Sequence, residues 1–277
     1  MVATEETFEG KGGLKIFMRS WRPAAKPRAV VVICHGFNAH SGLYAWTADQ
    51  LVADGYAVYA VDLRGRGKSE GERFYVEDMA DYVADVDGMV KIAKARDPGL
   101  PVFLLGHSAG GVVSATYVLD HPGELAGFIC EDFAFQVPAP GFVLAAVKGL
   151  SHFAPHLPVL RLKNEDFSRD PATVAALNAD PLIAHETQPA LTVAVLARAD
   201  ERLMTSFGEI TLPVLIMHGT ADKATVPHGS EVFYEKAGSA DKTLKLYEGY
   251  FHDLLADLGK EEVIADIKAW IGKHVPA

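Results

Sequence analysis

The pentapeptide Gly106-His107-Ser108-Ala109-Gly110 follows directly on the apolar run Val102 to Leu105 and leads into a stretch of small residues. Gly106, Gly110 and Gly111 let a tight strand-to-helix turn form without side chains striking the neighbouring strand and helix. Such a turn drives the Ser108 hydroxyl outward. It also sets the Ala109 N–H at the start of the following helix, where unpaired amides and the helix dipole favour developing negative charge. Ser108 is therefore a candidate nucleophile, and the Ala109 amide a candidate half of an oxyanion hole. Five residues with three fixed positions recur by chance, so the motif alone leaves a plain strand-to-helix turn open.

The rest of the chain sets that turn in a parallel sheet. Short apolar runs recur at Ala29 to Cys34, Tyr56 to Val61, Val102 to Leu105, Ala126 to Cys130, Val214 to Met217 and Thr243 to Tyr247, with helical patterns between them. That alternation predicts an α/β fold with a largely parallel sheet. Val76 to Ala95 predicts an amphipathic helix, with Val76, Met79, Val83, Val86 and Val90 along one face. Val263, Ile264, Ile267, Trp270 and Ile271 mark a second. Thr7 to Glu9 and Leu14 to Trp21, flanking Gly10, Gly12 and Gly13, predict an amino-terminal antiparallel hairpin.

Between about Phe133 and Glu209 the strand rhythm stops, and prolines at 138, 140, 155, 158, 171 and 181 punctuate short helical patterns. We read an inserted helical cap over 133–209, with core segments at 1–132 and 210–277. Its piece Gly141 to Phe153 is apolar, and most of those side chains are expected to dock the cap onto the core. The remainder would line an acyl tunnel or make transient membrane contact.

Composition excludes several function classes. The 277 residues, 49% hydrophobic, suffice for one large domain with an insertion. Thirty-six acidic against 26 basic residues leave a net charge of -10, and no lysine- or arginine-dense stripe exists to track a phosphate backbone. Nucleic acid is not an expected partner. Residues 1–10 are acidic and polar, without an apolar export or membrane segment, which places the chain in the cytoplasm. Cys34 and Cys130 close separate strand-like runs and read as buried thiols rather than a disulfide.

A serine hydroxyl needs a base, and the base an orienting carboxylate. After the run Val214 to Met217 comes His218-Gly219-Thr220-Ala221-Asp222, and after Lys242 to Tyr247 comes Glu248-Gly249-Tyr250-Phe251-His252. Asp222 and His252 thus each follow a strand end, where open α/β sheets keep their sites. Asp132, also just beyond a strand end, is the rival acid. His107 reads as a helix-start neighbour of Ser108 rather than the base. The other histidines lack metal-ligand spacing, so no metal is expected. Asp253 and Asp257 read as solvated helix charges. The second oxyanion donor is expected from His35-Gly36-Phe37, specifically the Phe37 N–H. The basic glycine loop Asp62 to Ser69 reads as scaffold, since it lacks the placement of a phosphate-binding loop.

Together these motifs resemble the monoacylglycerol lipase branch of the serine α/β-hydrolases, which includes lysophospholipases and general esterases. The resemblance runs over His35-Gly36, His40-Ser41-Gly42 with Tyr44, Asp62 with Arg64-Gly65-Arg66-Gly67, Ser69-Glu70-Gly71, Gly106 to Gly111, Gly219 with Ala221-Asp222, and Lys242 to Gly249 leading to His252. It implies the α/β-hydrolase fold: a mostly parallel eight-stranded sheet flanked by helices, with an inserted helical cap. It also implies cofactor-free hydrolysis of a small-molecule ester or lipid, with the roles above for Ser108, Asp222, His252, Phe37 and Ala109.

Two departures bear on substrate. The family has glutamate and arginine where this chain has Ala39 and Leu43. Losing that pair removes the polar end that accepts glycerol and implies a less polar leaving alcohol. Ala39, Leu43, His107, Phe142 and Val226 are the candidate pocket residues. The same residues would equally serve a lysophospholipid, thioester, lactone or amide, and a non-catalytic receptor on this fold stays an alternative.

Overall fold

In the computed structural model, which describes residues 2–275, the chain builds one eight-stranded sheet with helices on both faces. The elements in chain order begin with strands β1 (Thr4–Glu9), β2 (Lys15–Trp21) and β3 (Ala29–Cys34), helix α1 (Ala45–Ala53), strand β4 (Tyr56–Val61) and helix α2 (Met79–Arg96). They continue with β5 (Val102–His107), α3 (Ala109–Asp120), β6 (Gly127–Glu131), α4 (Gly141–Leu150), β7 (Pro158–Leu160) and α5 (Pro171–Ala179). Last come β8 (Gln188–Pro189), α6 (Ala190–Ser206), β9 (Val214–Gly219), α7 (Pro227–Lys236), β10 (Lys242–Tyr247) and α8 (Lys260–His274).

The sheet order is β1-β2-β4-β3-β5-β6-β9-β10. The β1–β2 hairpin and the β2–β4 contact are antiparallel, and every other pairing is parallel. Strands β3, β4, β5 and β6 are buried along their whole length, which is why they read as unbroken apolar runs rather than alternating ones. Residues alternate between two cores. Val30, Val32, Leu104 and Phe128 pack with α2 and α3 on one face, while Val31, Ile33, Phe103 and Leu105 pack with α1 and α8 on the other. Each such fully buried aliphatic side chain contributes roughly 1.5–3 kcal/mol of transfer free energy.

The expected Val76 to Ala95 helix starts at Met79, because Asp78 caps it by accepting the Ala80 N–H at 2.9 Å. Val76 instead donates its N–H to Thr192 Oγ1, 3.1 Å away in α6. Both cysteines are buried free thiols.

Residues 133–209 enter between β6 and β9 and carry α4, α5 and α6. Two expectations for this stretch need correction. It is not strand-free, since β7 and β8 form an antiparallel pair. Nor does α4 dock onto the core: none of its residues is buried, and Phe142 is 77% exposed. Among the described residues no helix is long and apolar enough to cross a membrane.

Candidate active site

Strand β5 continues two residues beyond its apolar run, because Gly106 and His107 still pair with Cys34 and Glu131. The chain then turns at Ser108, whose φ of 55° lies in the left-handed region that non-glycine residues rarely occupy. Close approach on both sides maintains this elbow. A side chain at Gly110 would run into the carbonyl oxygens of Cys34 and His35, and one at Gly106 would sit 2.5 Å from Ser114 Oγ. The Ser108 backbone N–H donates to Glu131 O at 2.9 Å, and its carbonyl accepts from Gly111.

The turn brings Ser108 Oγ to 2.8 Å from His252 Nε2, and His252 Nδ1 lies 2.8 Å from Asp222 Oδ2. An ionised carboxylate only accepts, so Asp222 places the imidazole proton on Nδ1 and leaves Nε2 free to accept from Ser108. Asp222 also takes the N–H groups of Ala224 at 2.7 Å and Thr225 at 3.0 Å, and the Thr225 hydroxyl at 2.6 Å. Burial would raise the Asp222 carboxyl, but His252 and His218 outweigh it and hold it far below the usual carboxylate range.

His218 is a member of this site that sequence reasoning missed. Its Nε2 donates to Asp222 Oδ2 at 3.0 Å while Nδ1 accepts the Ser230 hydroxyl at 2.7 Å. The only signal was its place at the end of β9, four residues before Asp222. Phe167 was missed too. Its ring stands edge-on to His252 with centroids 4.9 Å apart, keeping that side of the imidazole dry.

Asp132, the rival acid, lies elsewhere in the hydrogen bonding. It accepts Gly219 N–H at 2.9 Å and Leu254 N–H at 3.4 Å, so it ties the loops after β9 and β10 together. Burial and the neighbouring Asp222 push its carboxyl well up. Asp257, expected to be solvated and helical, is buried ahead of α8. It accepts Phe251 N–H at 2.9 Å and Arg169 Nε at 2.7 Å, clamping the His252 loop to the 133–209 stretch. Asp253 likewise precedes the helix and is partly buried, and burial raises its carboxyl to about 6.

Phe37 and Ala109 flank Ser108. A side chain at Gly36 would come within 2.8 Å of Ser108 Cβ, so the loop after β3 lies directly against the elbow. Among the described residues no backbone carbonyl takes the N–H of Phe37 or Ala109. Both residues, with Ser108 and His252, line a cavity of about 930 Å³. Its walls include Val143, Leu144 and Val147 of α4 and Leu196 and Met204 of α6.

Of the five expected pocket residues, Val226 lines the cavity. The other four do not. Past Asn38, at φ 49°, the chain runs outside the cavity lining, with Ala39 buried and Leu43 on an exposed turn. Neighbouring contacts fix that course: Ser41 N–H donates to Asp62 at 2.7 Å and His40 Nε2 to Asp180 at 2.8 Å. Phe142 stands on the outer face of α4. His107 lies beneath His252, its Nε2 donating to the His252 carbonyl at 3.1 Å with ring centroids 5.0 Å apart.

Burial pushes His107 down from its ordinary 6.5 to about 3, so it stays neutral in the fold. Between those values the unfolded chain holds the extra proton, and stability falls as pH drops from 6.5 towards 3, by about 1.4 kcal/mol per unit for a full proton. His107→Gln keeps a donor for the His252 carbonyl and lacks the titration. Its urea midpoint is expected to fall less than the wild-type midpoint between pH 6.5 and 4.5, and equal falls would refute a buried neutral His107.

The family described as "Serine aminopeptidase, S33" matches residues 25–259. The monoacylglycerol lipase of Mycolicibacterium smegmatis is 34% identical over 274 residues, covering 98% of each chain. The human monoglyceride lipase is 34% identical over 267 residues, covering 95% of this chain and 88% of that one. A crystal structure of a soluble variant of monoglyceride lipase from Saccharomyces cerevisiae, in complex with a substrate analog, aligns with a TM-score of 0.88 at 26% identity. It covers 100% of this chain and 96% of that one. With an α/β sheet, an elbow serine and relatives along its whole length, the chain belongs to the S33 serine hydrolase family and is a monoacylglycerol lipase-like α/β-hydrolase.

Proposed function

We propose that this chain is a carboxylic ester hydrolase that cleaves esters of lipid-like acyl chains through an acyl-enzyme on Ser108. The observation that carries the reading is the run of 2.8 Å contacts from Asp222 through His252 to Ser108, opening on an apolar-walled cavity large enough for a lipid chain. Ser108 Oγ attacks the ester carbonyl while His252 Nε2 takes its proton. The oxyanion is held by the N–H groups of Phe37 and Ala109. His252 then returns the proton to the departing alcohol. In the second half it takes a proton from water, whose oxygen attacks the acyl carbon, and the fatty acid leaves as Ser108 regains its hydrogen.

Residues 133–209 act as a cap over this cavity between the core segments 1–132 and 210–277. Phe142 and Phe153, 77% and 89% exposed, give the cap an apolar surface for transient contact with a membrane that presents the substrate. Free buried thiols at Cys34 and Cys130 suit the reducing cytoplasm.

The test compares a monoacylglycerol with the methyl ester of the same fatty acid, each free and in vesicles, with Ser108→Ala as the blank. Because apolar side chains such as Val143, Leu144, Val147, Leu196 and Met204 make up much of the cavity wall, the methyl ester is expected to turn over at least as fast as the glycerol ester. A faster glycerol ester would mean that polar residues of the lining hold the glycerol. Vesicle esters cleaved no faster than free ones would count against membrane contact, and turnover no higher than the blank would overturn the reading.

A further inference from the structure

The basic glycine loop between β4 and α2 holds a residue that scaffold duty alone does not explain. Arg66 is buried to 1% exposure, and its guanidinium lies 4.2 Å from the centroid of the Phe37 ring. Its Nε donates to Tyr82 Oη at 3.1 Å, one terminal nitrogen to Gln188 Oε1 at 2.7 Å, and the other to Glu186 Oε1. Glu186 is as buried as Arg66 and comes from the stretch just before β8. The same Oε1 accepts the backbone N–H of Asn38 at 2.9 Å and Gln188 Nε2 at 2.7 Å. One carboxylate oxygen thus gathers the oxyanion-loop backbone, the core arginine and the inserted segment.

Asn38 is attached to that segment a second time. Its Nδ2 donates to Asn164 Oδ1 at 2.9 Å and to Leu162 O at 3.4 Å. These bonds hold a non-glycine residue at φ 49°, a conformation that persists only when surroundings over-determine it. Asn38 N belongs to the peptide unit immediately after Phe37, so whatever fixes it fixes the orientation of the Phe37 amide one unit back. On the other side of the loop, His35 Nδ1 donates to Gly36 O at 2.7 Å and Nε2 accepts Leu63 N–H at 3.1 Å. The core therefore anchors the entry to the loop, and the inserted segment anchors its exit.

We propose that Glu186, paired with Arg66, is a positioning residue that seats the Phe37 N–H for the oxyanion, so that docking of residues 133–209 completes the oxyanion hole. This rests on the ester-hydrolase reading. A donor misplaced by even a fraction of an ångström stabilises the tetrahedral intermediate less while leaving ground-state binding in the cavity intact. The loss falls on kcat.

The experiment measures kcat and KM per titrated Ser108 for wild type, Glu186→Ala, Glu186→Gln and Asn164→Ala, together with inhibition by a trifluoromethyl ketone that forms the tetrahedral adduct. Glu186→Ala is expected to lower kcat about 10- to 100-fold, part of the 10²–10³ lost with a whole oxyanion donor. KM should stay within about twofold, and ketone affinity should fall by the same factor as kcat/KM. Glu186→Gln retains an acceptor for the Asn38 N–H and should recover part of the loss. Asn164→Ala breaks the outer tether and an exposed bond to Asn178, and leaves no buried charge unpaired, so its several-fold loss in kcat is the check if Glu186→Ala is unstable. Unchanged kcat and ketone affinity per titrated site in the folded variants overturn the inference. A wild type inactive on every ester overturns the hydrolase reading itself, and the inference with it.

Discussion

Ser108→Ala is expected to lower kcat on the preferred ester by about 10⁵- to 10⁶-fold while leaving the fold in place. The size follows from the chemistry. Without Oγ no acyl-enzyme forms, His252 has no hydroxyl to deprotonate, and only binding and the oxyanion donors remain; removal of a triad serine costs about 10⁶ in a comparable site. The fold survives because the variant loses one hydrogen bond, that to His252 Nε2 at 2.8 Å, and the left-handed backbone at φ 55° strains alanine as it strains serine. The denaturation midpoint should move little. A fluorophosphonate that labels the wild type stoichiometrically should leave the variant unlabelled, with substrate still binding the cavity. Activity above about 1% of wild type would reassign the nucleophile.

How far this site was legible depends on which physical signal each residue leaves. Ser108, Asp222 and His252 each stand just beyond a strand end, and strands such as Ala29–Cys34 and Tyr56–Val61 announce themselves because full burial makes them continuous apolar runs. Topology then does the rest: strand order places β5 and β9 on either side of β6 and β10 beside β9, so loops far apart in sequence converge. β7 and β8 leave no comparable trace. They are three and two residues long and contain prolines, so no periodicity marks them.

Side-chain partners were less legible than positions. His218 looked like one of eleven histidines because its role depends on partners that only the fold supplies: Asp222, which sets the proton on Nε2, and Ser230 of α7, whose hydroxyl then donates to Nδ1. Ala39 and Leu43 were placed in the pocket by family resemblance, which aligns positions without specifying which side chains reach the cavity. Phe142 was chosen for being apolar, yet a helix with no buried face presents apolar groups both to a cavity and to solvent, and only the register decides between them. Asp257 read as a surface charge because its partners, Arg169 from 88 residues away and the Phe251 amide six residues before it, meet it only once the chain has folded.

The second large effect separates the two buried acids. Asp222→Asn is expected to lower kcat about 10⁴-fold, the cost of setting the wrong imidazole tautomer in a serine triad. The hydrogen bonding explains why neither orientation of the amide works. Asp222 Oδ1 accepts the N–H groups of Ala224 and Thr225, while Oδ2 faces His252 Nδ1, His218 Nε2 and the Thr225 hydroxyl, so all five neighbours are donors. With its oxygen on the backbone amides, an asparagine turns its NH₂ towards His252 and forces the proton onto Nε2, where it can no longer accept from Ser108. Flipped, it sets that NH₂ against two backbone N–H groups. Asp132→Asn meets a milder conflict, because the amide keeps its oxygen on Gly219 N–H and turns its NH₂ only against the long 3.4 Å contact from Leu254 N–H. Its carboxyl is held up by burial and by Asp222, and it makes no hydrogen bond to His252, so a neutral amide of nearly the same shape replaces it with less than about a tenfold change in kcat. Both variants are measured by kcat per titrated Ser108. If Asp132→Asn proved the more damaging, the orienting role would pass from the loop after β9 to the end of β6.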